Sequence, residues 1–173
     1  SLSGGEKDED PPIFLKSQPE DKSTNFSEDK IILFFDEFFV LNNLNSTFLS
    51  SPFILETPDF NIKRKKLEVK FNETLLDSTT YHFSFGDAIE DYHERNPLKN
   101  FKFVFSTGAY LDTMEISGRV YDAFSLSKIE DMFVMLYNNY NDSSPIQEQP
   151  YYIAKTDTSG SFSINYIKPG NYR

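Results

Sequence analysis

The sequence predicts an all-β protein built from two β-sandwich units, and three observations carry that prediction. Short segments alternate apolar and polar residues, as in Leu67-Glu68-Val69-Lys70-Phe71 and Phe101-Lys102-Phe103. Successive side chains of a strand point to opposite faces, so a period of two describes a sheet with one buried face. Aromatic residues make up 16% of the 173 positions, and they suit a pleated, half-buried surface. Turn chemistry, such as Asp157-Thr158-Ser159-Gly160 and Pro169-Gly170, separates these segments at short intervals.

Taken in order, residues 1–12 (SLSGGEKDEDPP) read as a flexible tether. They combine a Gly pair, a Pro pair and four acids with a single Leu to bury. A strand is expected at 13–17, a turn at 19–23 and a strongly apolar strand at 30–35. Residues 36–43 fit either a helical turn or a bent strand. A short strand at 46–50 is limited by Pro52 and Pro58. Strands at 61–63 and 67–71 flank Lys63-Arg64-Lys65-Lys66, which reads first as a solvated hairpin turn and only second as an anion-binding patch. At 81–85 the alternation places Tyr81, Phe83 and Phe85 inward and His82 outward. Residues 86–100 read as a polar connection, and 101–105 turns Phe101, Phe103 and Phe105 to one side. Seven strands in this span have the size and rhythm of an immunoglobulin-like sandwich over 13–108. A linker at 109–115 without a Gly or Pro run leads to a second unit at 116–173, with strands at 116–122, 132–137, 151–156 and 161–164.

Composition narrows the function. The net charge is −10, which argues against general nucleic-acid binding, since that requires a positive face to displace phosphate counterions. There is no cysteine, hence no disulfide framework or thiolate zinc site. No apolar run approaches the ~20 residues of a helical membrane span, and no signal peptide is visible. No GxSxG, phosphate loop or dinucleotide fingerprint occurs. The two histidines, His82 and His93, read as exposed. A non-catalytic protein without a cofactor is expected.

Three sets of residues are candidates for a site. Asp87, Glu90, Asp91 and Glu94 crowd one loop; such carboxylates form a solvated loop, a Ca²⁺ site or, last, a catalytic acid pair. Tyr137, Tyr140, Tyr151 and Tyr152 flank a loop rich in Asn, Asp, Ser and Gln, and tyrosines beside amides make adaptable surfaces for protein or sugar. The competing reading is a linker loop between two strands. Thr113, in Asp112-Thr113-Met114, matches a short O-glycosylation pattern and would be accessible in a linker.

Two resemblances sharpen this reading. PPIFLKSQPEDKSTNFSEDKIILFFDEFF and LDSTTYHFSFGDAIEDYHERNPLKNFKFVFSTG resemble the bacterial Ig-like domain of surface-layer proteins and Bacteroidetes lipoproteins. ISGRVYDAFSLSKIEDMFVMLY and TDTSGSFSINYIKPGNYR resemble the carboxypeptidase-regulatory-like, or transthyretin-like, domain. That family's pattern runs on past the last of these residues, so the second sandwich is expected to be incomplete. The combination implies a cell-envelope lipoprotein, lipid-anchored at the outer membrane or cell surface, whose signal peptide and lipid-bearing Cys have been removed. It would act as a structural spacer or protein-interaction module, with an envelope protein or glycan as partner. A carbohydrate- or calcium-dependent binding module and an accessory part of a larger envelope enzyme are the alternatives.

Overall fold

The computed structural model describes residues 9–138 and 147–173. In chain order they form β1 (Phe14–Gln18), β2 (Lys30–Phe35), β3 (Phe39–Leu41), a one-turn helix α1 (Leu44–Thr47), β4 (Leu49–Ser51), β5 (Asp59–Lys63), β6 (Lys66–Lys70), β7 (Thr80–Gly86), β8 (Ile89–Asp91), β9 (Phe101–Ser106), β10 (Met114–Arg119), β11 (Phe133–Leu136), β12 (Tyr152–Lys155) and β13 (Ser161–Ile167). The fold is all-β, as the alternation predicts. Among the described residues, no helix is long and apolar enough to cross a membrane.

Two antiparallel sheets, β1-β2-β6-β5 and β4-β7-β9, face each other across the main core. Ile31, Leu33 and Phe35 from β2 and Leu67 and Val69 from β6 are buried from one side, and Tyr81, Phe83, Phe85, Phe103 and Phe105 from the other. Each set lies at every second position, so the period-two pattern maps directly onto the inner faces. The interior is largely aromatic. The rings of Phe83 and Phe105 lie 5.3 Å apart, edge to face, and those of Tyr81 and Phe105 stack at 5.5 Å, geometries that the ring quadrupole favours. The open edge of β9 is covered by the 21–26 segment. Lys22 N–H donates to the Val104 carbonyl at 2.7 Å and Phe26 N–H to that of Ser106 at 2.9 Å, which removes an exposed row of backbone groups.

Two expectations change locally, at 46–50 and 86–100, and an open one, at 36–43, is resolved. Residues 46–50 begin in α1 and reach strand only at β4. The Ser46 and Thr47 hydroxyls both donate to the Asn43 carbonyl, at 2.9 and 3.1 Å, and such local bonds compete with a ladder. Of the two readings of 36–43, the bent strand is realised as β3. The polar connection read at 86–100 contains a strand, β8, which pairs with β3 through Phe39↔Asp91 and Leu41↔Ile89. Its apolar content, Ala88 and Ile89, is fully buried but too short to register as alternation among the surrounding charges. The basic tetrad is a hairpin turn, as expected: Lys63 pairs with Lys66, and Arg64 occupies the left-handed region at φ 59°.

The remaining strands form two antiparallel pairs, β10-β13 and β11-β12. A separate cluster of Tyr152, Ala154, Ile164 and Ile167 is buried between them, with Val134, Leu136, Phe162 and Tyr172 packed against it. The two cores abut through specific contacts. Thr80 Oγ1 donates to Asp112 Oδ2 at 2.9 Å and accepts from Asp112 N–H at 2.8 Å, all of it buried. Phe53 N–H donates to the Tyr151 carbonyl at 2.9 Å.

Candidate functional site

The acidic loop is held by its own backbone. Asp91, 3% exposed, turns its carboxylate back into the chain that follows: Oδ1 accepts from the N–H groups of His93 and Glu94 at 2.8 and 2.7 Å, and Oδ2 from that of Asn96 at 2.6 Å. Desolvation pushes its pKa up, but backbone N–H groups of residues 93–96 outweigh that and hold it below its ordinary value. Glu90 is engaged elsewhere, accepting from Asn42 Nδ2 at 2.8 Å and facing Arg95 at 3.9 Å. Asp87 accepts from Asn100 N–H at 3.1 Å, and Glu94 is half-buried. Among the described residues, no three His, Asp or Glu side chains gather as a metal-holding group. The four carboxylates therefore do not converge on one point.

The tyrosine set is not the exposed surface the sequence suggested. Tyr152 is 1% exposed; its hydroxyl accepts from Lys168 N–H at 2.9 Å, and burial raises its pKa. Tyr137 is also buried, its backbone bonded in both directions to Arg173. Tyr151 is half-buried against Tyr152 and Tyr172, with ring centroids at 4.9 and 6.4 Å. Tyr140 lies outside the described residues. The physical reason is that 151–172 closes a second core, which takes Tyr152 as its centre. Thr113 is exposed, one residue from the buried Asp112.

A further locus joins the two cores. His82 lies on the outward face of β7, where the sequence placed it, but that face is covered rather than solvated. Tyr166 of β13 packs its ring 5.8 Å from the imidazole, itself at a backbone φ of 59°. His82 is half-buried and sits between two clefts. One, of about 640 Å³, is lined by Asp21, Lys22, Lys102, Thr113, Glu115 and Tyr166. The other, of about 680 Å³, includes Ser84, Asp131, Lys155 and Asp157. Burial first, and the Lys102 charge second, push the His82 pKa down to about 4. The expectation of an exposed histidine is thereby corrected: alternation gives the face of a side chain, and only the arrival of β13 decides whether that face is wet.

Compared with known families, residues 8–107 match the bacterial Ig-like domain. This stretch contains both sheets of the main sandwich. The chain belongs to the bacterial Ig-like domain family. Comparison with curated proteins gave no match. In this Ig-like domain the outer side of the sheet β4-β7-β9 carries the strand pairs β10-β13 and β11-β12, β12 lying against β4 and β13 against β7. Chemically, the junction holds a neutral imidazole poorly matched to general-base work near pH 7. In the acidic loop the Asp91 and Asp87 carboxylates are committed to backbone N–H groups, and Glu90 to Asn42 and Arg95.

Proposed function

We propose that this chain is a non-catalytic structural and interaction module of a bacterial cell-envelope protein, an Ig-like domain that carries and orients a neighbouring β unit. The observation that supports this reading best is the junction itself. Ser51, Thr80 and His82, from the outer side of one sandwich sheet, engage Ile153 and Tyr166 of the following unit and Asp112 of the segment that leads to it. Side chains that other folds would turn to a ligand are used to fix one unit against another. The finer reading rests on the resemblance of the two sequence blocks in this order. It takes residues 116–173 as carboxypeptidase-regulatory-like and the protein as a Bacteroidetes lipoprotein, anchored at the outer membrane or cell surface. Its partners would be an envelope protein or glycan, and not nucleic acid.

The test has two parts. In the source cells, surface-protease shaving and fractionation are expected to find the native protein with the envelope; recovery from the cytosol overturns the location. The purified chain is expected to show no turnover of ester, glycoside or peptide substrates. Saturable turnover that His82→Ala or Asp91→Asn abolishes would make the protein an enzyme.

A further inference from the structure

Strand register gathers lysines that the sequence scatters. Antiparallel partners share a face, and so do alternate residues of one strand. On the outer face of β1-β2-β6-β5, one cross-strand row therefore reads Lys16, Phe34, Lys66, Lys63; the next reads Gln18, Ile32, Glu68, Asn61; a third reads Lys30, Lys70, Asp59. Lys16, Lys63, Lys66 and Lys70 are exposed and Lys30 is half-buried. The Lys16 and Lys66 ammonium groups lie 5.2 and 5.1 Å from the Phe34 ring centroid, so the ring orders both. Glu68 faces Lys63 at 3.3 Å and Lys30 at 3.7 Å. Hydrogen bonding to Lys63 holds its carboxyl below the ordinary value. On the face itself five lysines meet two acidic side chains, Glu68 and Asp59, for a local charge of +3; in the adjoining turn Lys65 points instead to the Asp36 carbonyl and the Phe38 ring. Since the whole chain carries −10, everything else carries −13.

We propose that this sheet face binds an acidic polysaccharide lying flat across the strands. The proposal names the partner class of the interaction module proposed above and rests on that reading. The face spans about 14 Å across four strands and about 13 Å between the outer rows, from ordinary strand spacing and rise. Phe34 and Ile32 are its apolar side chains, too few to form the large desolvated apolar centre that anchors a folded protein partner. It supplies ammonium donors for carboxylate or sulfate groups, and the Gln18 and Asn61 amides suit hydroxyls. The strip is narrow and the surrounding body strongly negative. A bilayer or a nucleic-acid duplex spreads its charge in width as well as in length, and so meets more of that body's repulsion than a single extended chain that follows the rows.

The experiment is affinity chromatography and calorimetry of the whole chain on polygalacturonate and heparin, against neutral dextran, single-stranded DNA and anionic phosphatidylglycerol vesicles. Salt-dependent binding to the acidic polysaccharides is expected. It should weaken roughly tenfold or more in the variant Lys16→Gln/Lys66→Gln/Lys70→Gln, because three counterion-releasing contacts are lost. The equal charge change Lys99→Gln/Arg119→Gln/Lys128→Gln is expected to leave it within about twofold, since none of the three belongs to the strands of this face and solvent-exposed charges act over short range in salt. Lysine acetylation of the unmutated chain gives a readout independent of folding: the polymer is expected to protect Lys16, Lys66 and Lys70 and not Lys99 or Lys128. Absence of binding, equal loss in both variants, uniform protection, or tighter binding to DNA or vesicles overturns the proposal. So does salt-sensitive self-association that the face variant abolishes, for the occupant would then be a second copy. Any of these with the protein still found in the envelope defeats the ligand assignment alone; a cytosolic location defeats the underlying reading.

Discussion

Phe103 and His82 lie on adjacent strands of one sheet and answer to opposite rules. Phe103 is fully buried among rings, so its truncation removes contacts and leaves a cavity. Phe103→Ala is expected to lower stability by about 3–5 kcal/mol in urea unfolding; a loss under about 1 kcal/mol would mean that the inner face tolerates collapse. His82 acts through protons. Its folded pKa, about 4, lies below the ordinary 6.5, so between these values the unfolded chain binds the proton more readily. Stability is then complete above about pH 6.5 and falls as pH drops toward 4, by up to about 3 kcal/mol. His82→Gln is expected to flatten the melting temperature over that window while leaving the steeper acid loss below pH 4. There Asp91, Asp122 and Asp157, all held below their ordinary values by hydrogen bonds, take up protons. An unchanged slope between pH 6.5 and 4 in the variant would show that the imidazole is wet.

At the scale of elements, turns decide what the strands can do. The turn that carries the chain from β12, paired with β11, to β13, paired with β10, closes on Asp157, whose Oδ1 accepts from Ser159 N–H at 2.8 Å, Ser159 Oγ at 2.7 Å and Ser161 N–H at 3.0 Å. Gly160 follows at φ +72°, and a Cβ there would come 2.8 Å from the Val120 carbonyl oxygen. Only glycine is free of penalty in this conformation. Gly160→Ala is therefore expected to cost at least about 1–2 kcal/mol in thermal unfolding, with backbone crowding added. A neutral result would mean that the turn can open. The same logic explains α1: hydroxyls at 46 and 47 find a nearer acceptor than a neighbouring strand offers.

At the scale of the molecule, two hydrophobic clusters are joined by polar and ring contacts. Asp112 is 4% exposed, and Thr80 is a partner to both its carboxylate and its N–H. Thr80→Val deletes both bonds while keeping the shape, leaving a buried carboxylate without that donor. It is expected to cost about 1–3 kcal/mol and to raise amide exchange at residues 112–119 and 152–167 more than in the main sandwich. Uniform exchange would place the damage in the Ig-like core instead. Charge is also divided at this scale: the lysine-bearing sheet face lies on the side of the sandwich opposite the junction sheet, so the two surfaces do not compete.

The sequence by itself determined the all-β class, the existence of the apolar strand β2, the inward rows of β6, β7 and β9, the Lys63–Lys66 hairpin and the Asp157–Gly160 turn. Each of these follows from local periodicity or from a residue's own backbone preference, which neighbours in the chain are enough to express. The tertiary structure alone decided that His82 is covered, that Tyr152 is a core residue, that Asp91 folds its own loop, and that Lys16, Lys30, Lys66 and Lys70 share one face. Those outcomes depend on which strand pairs with which, and on what packs over an outward face. Register and layering join residues dozens of positions apart, and a period of two does not encode them.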